Sequence, residues 1–336
     1  MESNPTPPDA ATDTRTLPPP RGDLSEALAT ALSKPAHSVA LPAVGDAEPL
    51  GADVQLALLM CYELHYRGFV GVDGGWEWNP HLLRFRAELE RAFLDALRGR
   101  VAGREDAETL LDELTAERPD DYGVSHHLHD SGSWTQMREY FVHRSIYQLK
   151  EADPYVWAIP RLQGQAKASL VAVEFDEFGA GHGSRVHSGL YADLMEAADL
   201  DAGYLAYLEA VPAQTLAVAN LATLFGLHRS LRGALIGHFA VTEASTGPAA
   251  KRLVDALTAM AAPSPCVHFY AEHIEADAVH EQVVRHDIIR PLLASEPDLE
   301  PSVAFGMEAV AQLEGDLADY VMERWRKDQV SLSPGV

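Results

Sequence analysis

The chain reads as all-α, and three features say so. From residue 52 onward, apolar side chains recur at three- and four-residue steps, the period of helices that bury one face. Alternating runs of the β type are nearly absent. Clusters of Gly, Pro and Ser punctuate the chain at intervals that suit long helices packed as a bundle.

Taken in order, residues 1 to about 22 hold Pro5, Pro7, Pro8, Pro18, Pro19 and Pro20 and little to bury. That composition predicts a disordered tail, reaching to about residue 48 through a weakly helical piece at 23–33. Asp53 to Arg67 and Asn79 to Val101 follow as helices, the second opened by Asn79 as N-cap and Pro80 at the first helical position. A short helix is predicted at 105–117. The next stretch carries His126, His127 and His129 among Asp, Ser and Gly, and reads as a solvated turn rather than a metal site. The remaining helices fall at 134–152, 154–178 with an interruption at Pro160, 187–198, 200–210, 213–244, 248–262, 265–287 and 298–327. Ser264 and Pro265 supply the N-cap and first turn of the penultimate one. No internal repeat is visible.

A length of 336 residues gives ample material for a core, and 47% hydrophobic with 23% charged residues is the balance of a soluble globular protein. The net charge of −24 leaves no basic surface for nucleic acid or anionic membranes. Cys61 and Cys266 are the only cysteines and form no CxxC pair, so a reducing cytoplasm is the expected compartment. The proline-rich N-terminus lacks the basic and apolar regions of a secretory signal. No apolar run approaches the ~18 residues of a membrane span.

The most informative stretch is His273-Ile274-Glu275-Ala276-Asp277-Ala278-Val279-His280. On a helix, positions 273, 277 and 280 share one face with Tyr270 before them and Val284 after. A carboxylate and two imidazoles on an inward stripe are costly unless something satisfies them. A metal ion does so, and imidazole with carboxylate suits iron, manganese or zinc. An ordinary Asp277–His280 ion pair is the alternative reading of the stripe alone.

Further ligands must come from facing helices. The stripe Leu170, Val173, Glu177 brings Glu177 to the inner end of an apolar face, with Glu174 at its margin and Asp176 off it. His187 begins the next stripe, with Leu190, Tyr191 and Leu194. Ten residues of unbroken helix would separate Glu177 from His187 by about 15 Å, too far for one ion. The chain must therefore fold back at Gly179-Ala180-Gly181-His182-Gly183-Ser184. Glu151 aligns with Tyr140, Arg144 and Tyr147 on a mixed face, either a polar pocket wall or an exposed surface. Glu243 closes the stripe Ile236, Phe239, Ala240, where a helix-end carboxylate is the alternative.

Glu151, then Glu177 with His187, then His273-x3-Asp277-x2-His280 resembles the ligand pattern of the haem-oxygenase-like diiron oxidases. Asp176-Glu177-Phe178-Gly179 and Arg185-Val186-His187 are similar to that family's wording, and the resemblance covers roughly residues 134–290. It implies a haem-oxygenase-like helical bundle over 131–330, with an N-terminal helical segment, 49–130, packed on it. It also implies two Fe(II) ions, O2 as co-substrate, and neither haem nor nucleotide. By analogy Glu177, His187 and His273 bind one iron, and Glu151, Asp277 and His280 the other. Glu243, placed where some relatives add a carboxylate, is an extra or bridging ligand.

Family members perform N-oxygenation of amines or guanidines, oxidative decarboxylation of fatty acids, or C–C cleavage of amino acids, often in natural-product biosynthesis. A small-molecule substrate is therefore expected, with room for an external electron donor and a homodimer. Glu174 or Asp176 would hydrogen-bond outer imidazole nitrogens, while His143, Arg144, Tyr147, Arg161 and Gln163 are candidates for the pocket or for holding a polar substrate.

Rival readings fit less well. A ferritin-like site needs two Glu-x-x-His motifs, and none occurs. A helical phosphohydrolase would use His286-Asp287, but adjacent residues point about 100° apart and the 273–280 stripe stays unexplained. Three carboxylates facing a porphyrin argue against haem. A non-catalytic helical scaffold with a structural metal, or with none, remains.

Overall fold

A computed structural model describes residues 15–36, 39–116 and 122–333, and leaves the side chains of 275–278 outside the described residues. No strand occurs among the described residues. The chain divides into two compact units, Met1–Leu89 and Glu90–Val336.

The first unit holds α1 (Asp23–Leu32), α2 (Ala52–Glu63) and the start of α3 (Pro80–Arg98). Asp53 accepts the Leu24 and Ser25 N–H groups at 2.9 and 2.8 Å, satisfying two donors at the open end of α1. Leu24, Leu28 and Leu32 are buried, and the Trp76 indole donates to the Lys34 carbonyl at 2.8 Å. Composition predicts a tail as far as residue 48, but these anchors lie some distance along the chain, beyond any local pattern. Residues 1–14 of that tail lie outside the described residues. Asn79 does cap α3, its Oδ1 accepting from His81 N at 2.9 Å.

The second unit runs through α4 (Ala107–Thr115), α5 (Val124–Asp130), α6 (Trp134–Gln148), α7 (Asp153–Val156) and α8 (Gly164–Glu177). It continues with α9 (His187–Ala197), α10 (Ala213–Leu227), α11 (Arg232–Ala259) and α12 (Ser264–Val283). A π-turn over Val284–Ile289 leads into α13 (Arg290–Ser295) and then α14 (Glu300–Arg326). The hub is α11, which packs against both α12 and α14. Its crossing with α14 is close because a Cβ on Gly237 would collide with the Val303 carbonyl, and one on Gly306 with that of Ala234.

Tertiary contacts move several helix ends from where periodicity puts them. The stretch with His126, His127 and His129 is helical as α5, not a turn, and His127 lies over the Trp325 ring. None of the three joins a metal-capable group among the described residues. Residues 200–210 form turns instead of a helix, because Asp201 Oδ1 takes the Gly203 N–H at 2.7 Å and Leu205 is left-handed. The helix expected over 213–244 breaks at His228, where Arg161 donates to the carbonyls of Gly226 and Leu227. Conversely α11 runs through Pro248, since Ala250, Leu253 and Leu257 keep burying its face. The penultimate long helix begins one residue early, with Ser264 inside it and Pro263 as its cap. No helix among the described residues is long and apolar enough to cross a membrane.

Candidate metal centre

The fold-back after α8 builds the site. Gly179, Ala180 and Gly181 take φ of 73°, 52° and 83°, three successive left-handed residues that reverse the chain. A Cβ on Gly179 would lie 2.7 Å from the Arg185 carbonyl carbon, so the returning strand of backbone needs glycine there. The reversal sets His187 Nδ1 2.7 Å from Glu177 Oε2. Ten residues apart in sequence, the two side chains touch.

Six of the candidate ligands gather in two adjoining groups: Glu151 with His187 and His273, and Glu177 with Glu243 and His280. Within each, one ligand atom per residue lies within 4.8 Å of the others, about the span of one coordination shell. This differs from the pairing that analogy suggests, which puts Glu177 with His187 and His273, and Glu151 with His280. The reason is local. Glu151 sits in the turn after α6, its Oε2 3.8 Å from His273 Nε2. Glu177 ends α8 between the groups, with Oε2 on His187 and Oε1 3.6 Å from His280 Nδ1. The intermediate position expected of Glu243 thus belongs to Glu177, while Glu243 Oε2 lies 3.1 Å from His280 Nδ1. Asp277 belongs to α12, and its side chain lies outside the described residues.

The residues fit a metal ion on several counts. His273 Nδ1–H donates to the Phe269 carbonyl at 2.7 Å, which leaves the Nε2 lone pair facing Glu151. On His280, Nε2–H donates to Asp176 Oδ2 at 3.4 Å, so Nδ1, facing Glu243 and Glu177, is the nitrogen that would meet a metal ion once its proton is displaced. The Oε2 atom of Glu151 is buried with no hydrogen bond among the described residues. Such an atom is expensive to bury unless a cation meets it.

Charge coupling is strong here. Burial opposes the imidazolium of His280, but the hydrogen bond and charge of Glu243, with Glu177, push it up to about 9. Burial would also raise Glu177, yet the His187 contact wins and lowers it. For Glu243 burial prevails over the His280 hydrogen bond, and its carboxyl is raised. Glu174 is buried with neither oxygen hydrogen-bonded among the described residues, and burial, with the charges of Glu177 and Glu243, pushes it up to about 9.

A cavity of about 130 Å³ adjoins the first group, walled by Glu151, His273, Tyr147, Thr242, Arg144 and Glu314 among others. Of the residues expected to hold substrate, Arg144 and Tyr147 line it. His143 does not: it is buried between Thr215 Oγ1 at 2.9 Å and Ser331 Oγ at 3.0 Å. Arg161 ends α10, and Gln163 caps α8 without lining the cavity. Sequence reasoning also missed Glu314, Tyr155 and His238. Tyr155 Oη lies 2.9 Å from His238 Nδ1, and burial holds His238 down at about 3.

A helical bundle whose interior carries two imidazole–carboxylate groups belongs to the class of helical proteins with an interior able to hold metal ions. The model of the iron-containing redox enzyme family, haem-oxygenase-like and helical, matches residues 138–315, more than half of the chain, and the chain belongs to that family. It is accordingly an iron-containing redox enzyme. No curated protein matches the chain.

Proposed function

We propose that this chain is a non-haem diiron oxidase or oxygenase that uses O2 to oxidise a small organic substrate. The observation that carries the reading is the pair of adjoining imidazole–carboxylate groups, one of them on a cavity wall. Glu151, His187 and His273 would hold one Fe(II), and Glu177, Glu243 and His280 the other, with Asp277 added by the family resemblance. Two Fe(II) ions, when bound, supply the electrons that O2 chemistry requires. The carboxylates of Glu151, Glu177 and Glu243 offset most of their charge, which makes the centre tolerable in a helical core.

The surrounding residues orient and shield. Phe269 O and Asp176 set the tautomers of His273 and His280. Phe269 and Tyr270 wall the cavity with aromatic surface beside His273. The reaction falls among N-oxygenation of an amine or guanidine, oxidative decarboxylation and C–C cleavage, with an external donor free to supply electrons.

Anaerobic loading with Fe(II) tests the reading. About two irons per chain are expected, followed by O2 uptake with a change in visible absorption. A wild-type chain that takes up no iron would be a scaffold, and the proposal would fall.

A further inference from the structure

Two cavities meet at one ion pair. The inner one, about 130 Å³, reaches Glu151 and His273, and the second, about 320 Å³, is lined by Ser125, Leu317, Ala318 and Val321 among others. Both share Tyr140, Arg144, Ala249 and Glu314. Arg144 Nη1 lies 2.7 and 3.0 Å from the two Glu314 oxygens, and Arg144 Nε donates to Tyr140 Oη at 3.4 Å. The pair is reachable: the side chains are 29% and 36% exposed.

An accessible, complementary pair of charges selects what displaces it. A ligand with one carboxylate and one cationic nitrogen exchanges charge for charge, its carboxylate on Arg144 and its nitrogen on Glu314. A ligand with only one charge leaves the other protein charge without its partner, which is costly away from bulk water. Size narrows the choice further. Cavities of about 150 Å³ accommodate benzene, so the inner space takes a short chain and not a long acyl group.

We infer that the Arg144–Glu314 pair is the recognition element of this cavity, and that its ligand is a small zwitterion of the amino-acid type. Its charged head lies at the ion pair and the far end of its carbon chain points to Glu151 and His273. This inference rests on reading the cavity as the substrate site of the proposed oxidase.

The test is calorimetric binding to the full chain, anaerobically, with and without Fe(II), using L-norvaline, pentanoate and pentylamine as probes of matched length. L-Norvaline should bind about tenfold or more tightly than either singly charged probe. Arg144→Gln and Glu314→Gln should each weaken it by about tenfold or more, while iron content stays at the wild-type value. Should a single variant misfold, the double variant Arg144→Gln/Glu314→Gln strands no charge and should bind L-norvaline no better than pentylamine. Equal binding of all three probes, no binding of L-norvaline, or an unchanged double variant overturns the inference. L-Norvaline binding in a chain that takes up no iron would sustain the zwitterion site and sink the diiron reading instead.

Discussion

The two imidazole–carboxylate groups differ in what each one faces. Glu151 and His273 of the first lie on the cavity wall, whereas Glu177, Glu243 and His280 of the second do not. The first is oriented by backbone, through the Phe269 carbonyl on His273. The second is oriented by charge, with His280 between Glu243 at 3.1 Å and the half-exposed Asp176 at 3.4 Å. Glu177, in reach of both His187 and His280, couples them. On the proposed reading the difference is a division of labour: one group faces the cavity offered to the ligand and the other stands behind it.

Removing a ligand from each side gives the largest effect and tests that division directly. His280→Ala is expected to lower bound iron from about two to about one per chain and to abolish the O2-dependent absorption change, leaving L-norvaline binding near wild type. His273→Ala should lose iron too, and should also alter L-norvaline binding, because it changes the cavity wall. Iron counting with calorimetry reads both. If each variant keeps two irons, the ligand assignment is wrong.

Asp176→Ala comes next. Losing an outer hydrogen-bond acceptor on a ligating imidazole typically costs about 10–100-fold in metal affinity. The loss should fall on one of two iron-binding steps in a titration, since Asp176 touches His280 and not the first group. A uniform loss on both steps would remove the asymmetry.

The outline of this site was legible because a helical stripe keeps its period. His273 and His280 had to share a face, and the glycines at 179 and 181 had to allow a reversal between Glu177 and His187. What periodicity does not carry is offset between helices. It could not tell that the turn after α6 delivers Glu151 to His273 rather than to His280. Nor could it show that Glu314, deep in α14, meets Arg144 of α6 across the bundle. The same limit explains the helix ends. Gly247-Pro248 reads as a stop, yet burial on α11 overrides it, while the true break at His228 depends on Arg161 from a distant turn.

Next in size is a pH effect on the metal-free chain that separates the site from its surroundings. Glu174, whose carboxyl is held up to about 9 chiefly by burial, binds a proton in the folded chain that the unfolded chain releases above the ordinary value of 4.5. Its contribution is full below that value and is lost as pH rises toward about 9, by at most about 1.4 kcal/mol per pH unit. Glu174→Gln should flatten the decline in melting temperature over this window. An unchanged slope would mean that the carboxyl is not held neutral.

The smallest expected effect has the opposite sign and comes from outside the site. His143 is buried between two hydroxyls, and burial, with the nearby Arg144 charge, lowers it from 6.5 to about 3. Ser331 Oγ donates to Glu139 Oε2 at 2.6 Å, so its lone pair receives His143 Nε2–H, and Thr215 donates to Nδ1. The folded chain thus holds His143 neutral while the unfolded chain takes up a proton below about 6.5. Stability from this residue is present above 6.5 and lost as pH falls toward about 3, again by at most about 1.4 kcal/mol per pH unit. In the Glu174→Gln background, where one opposing slope is gone, melting temperature should drop from pH 6.5 to 4.5. Adding His143→Gln should remove about half of that drop, the remainder belonging to His238, which burial also holds down at about 3, and a drop left whole by His143→Gln would mean that His143 is not held neutral.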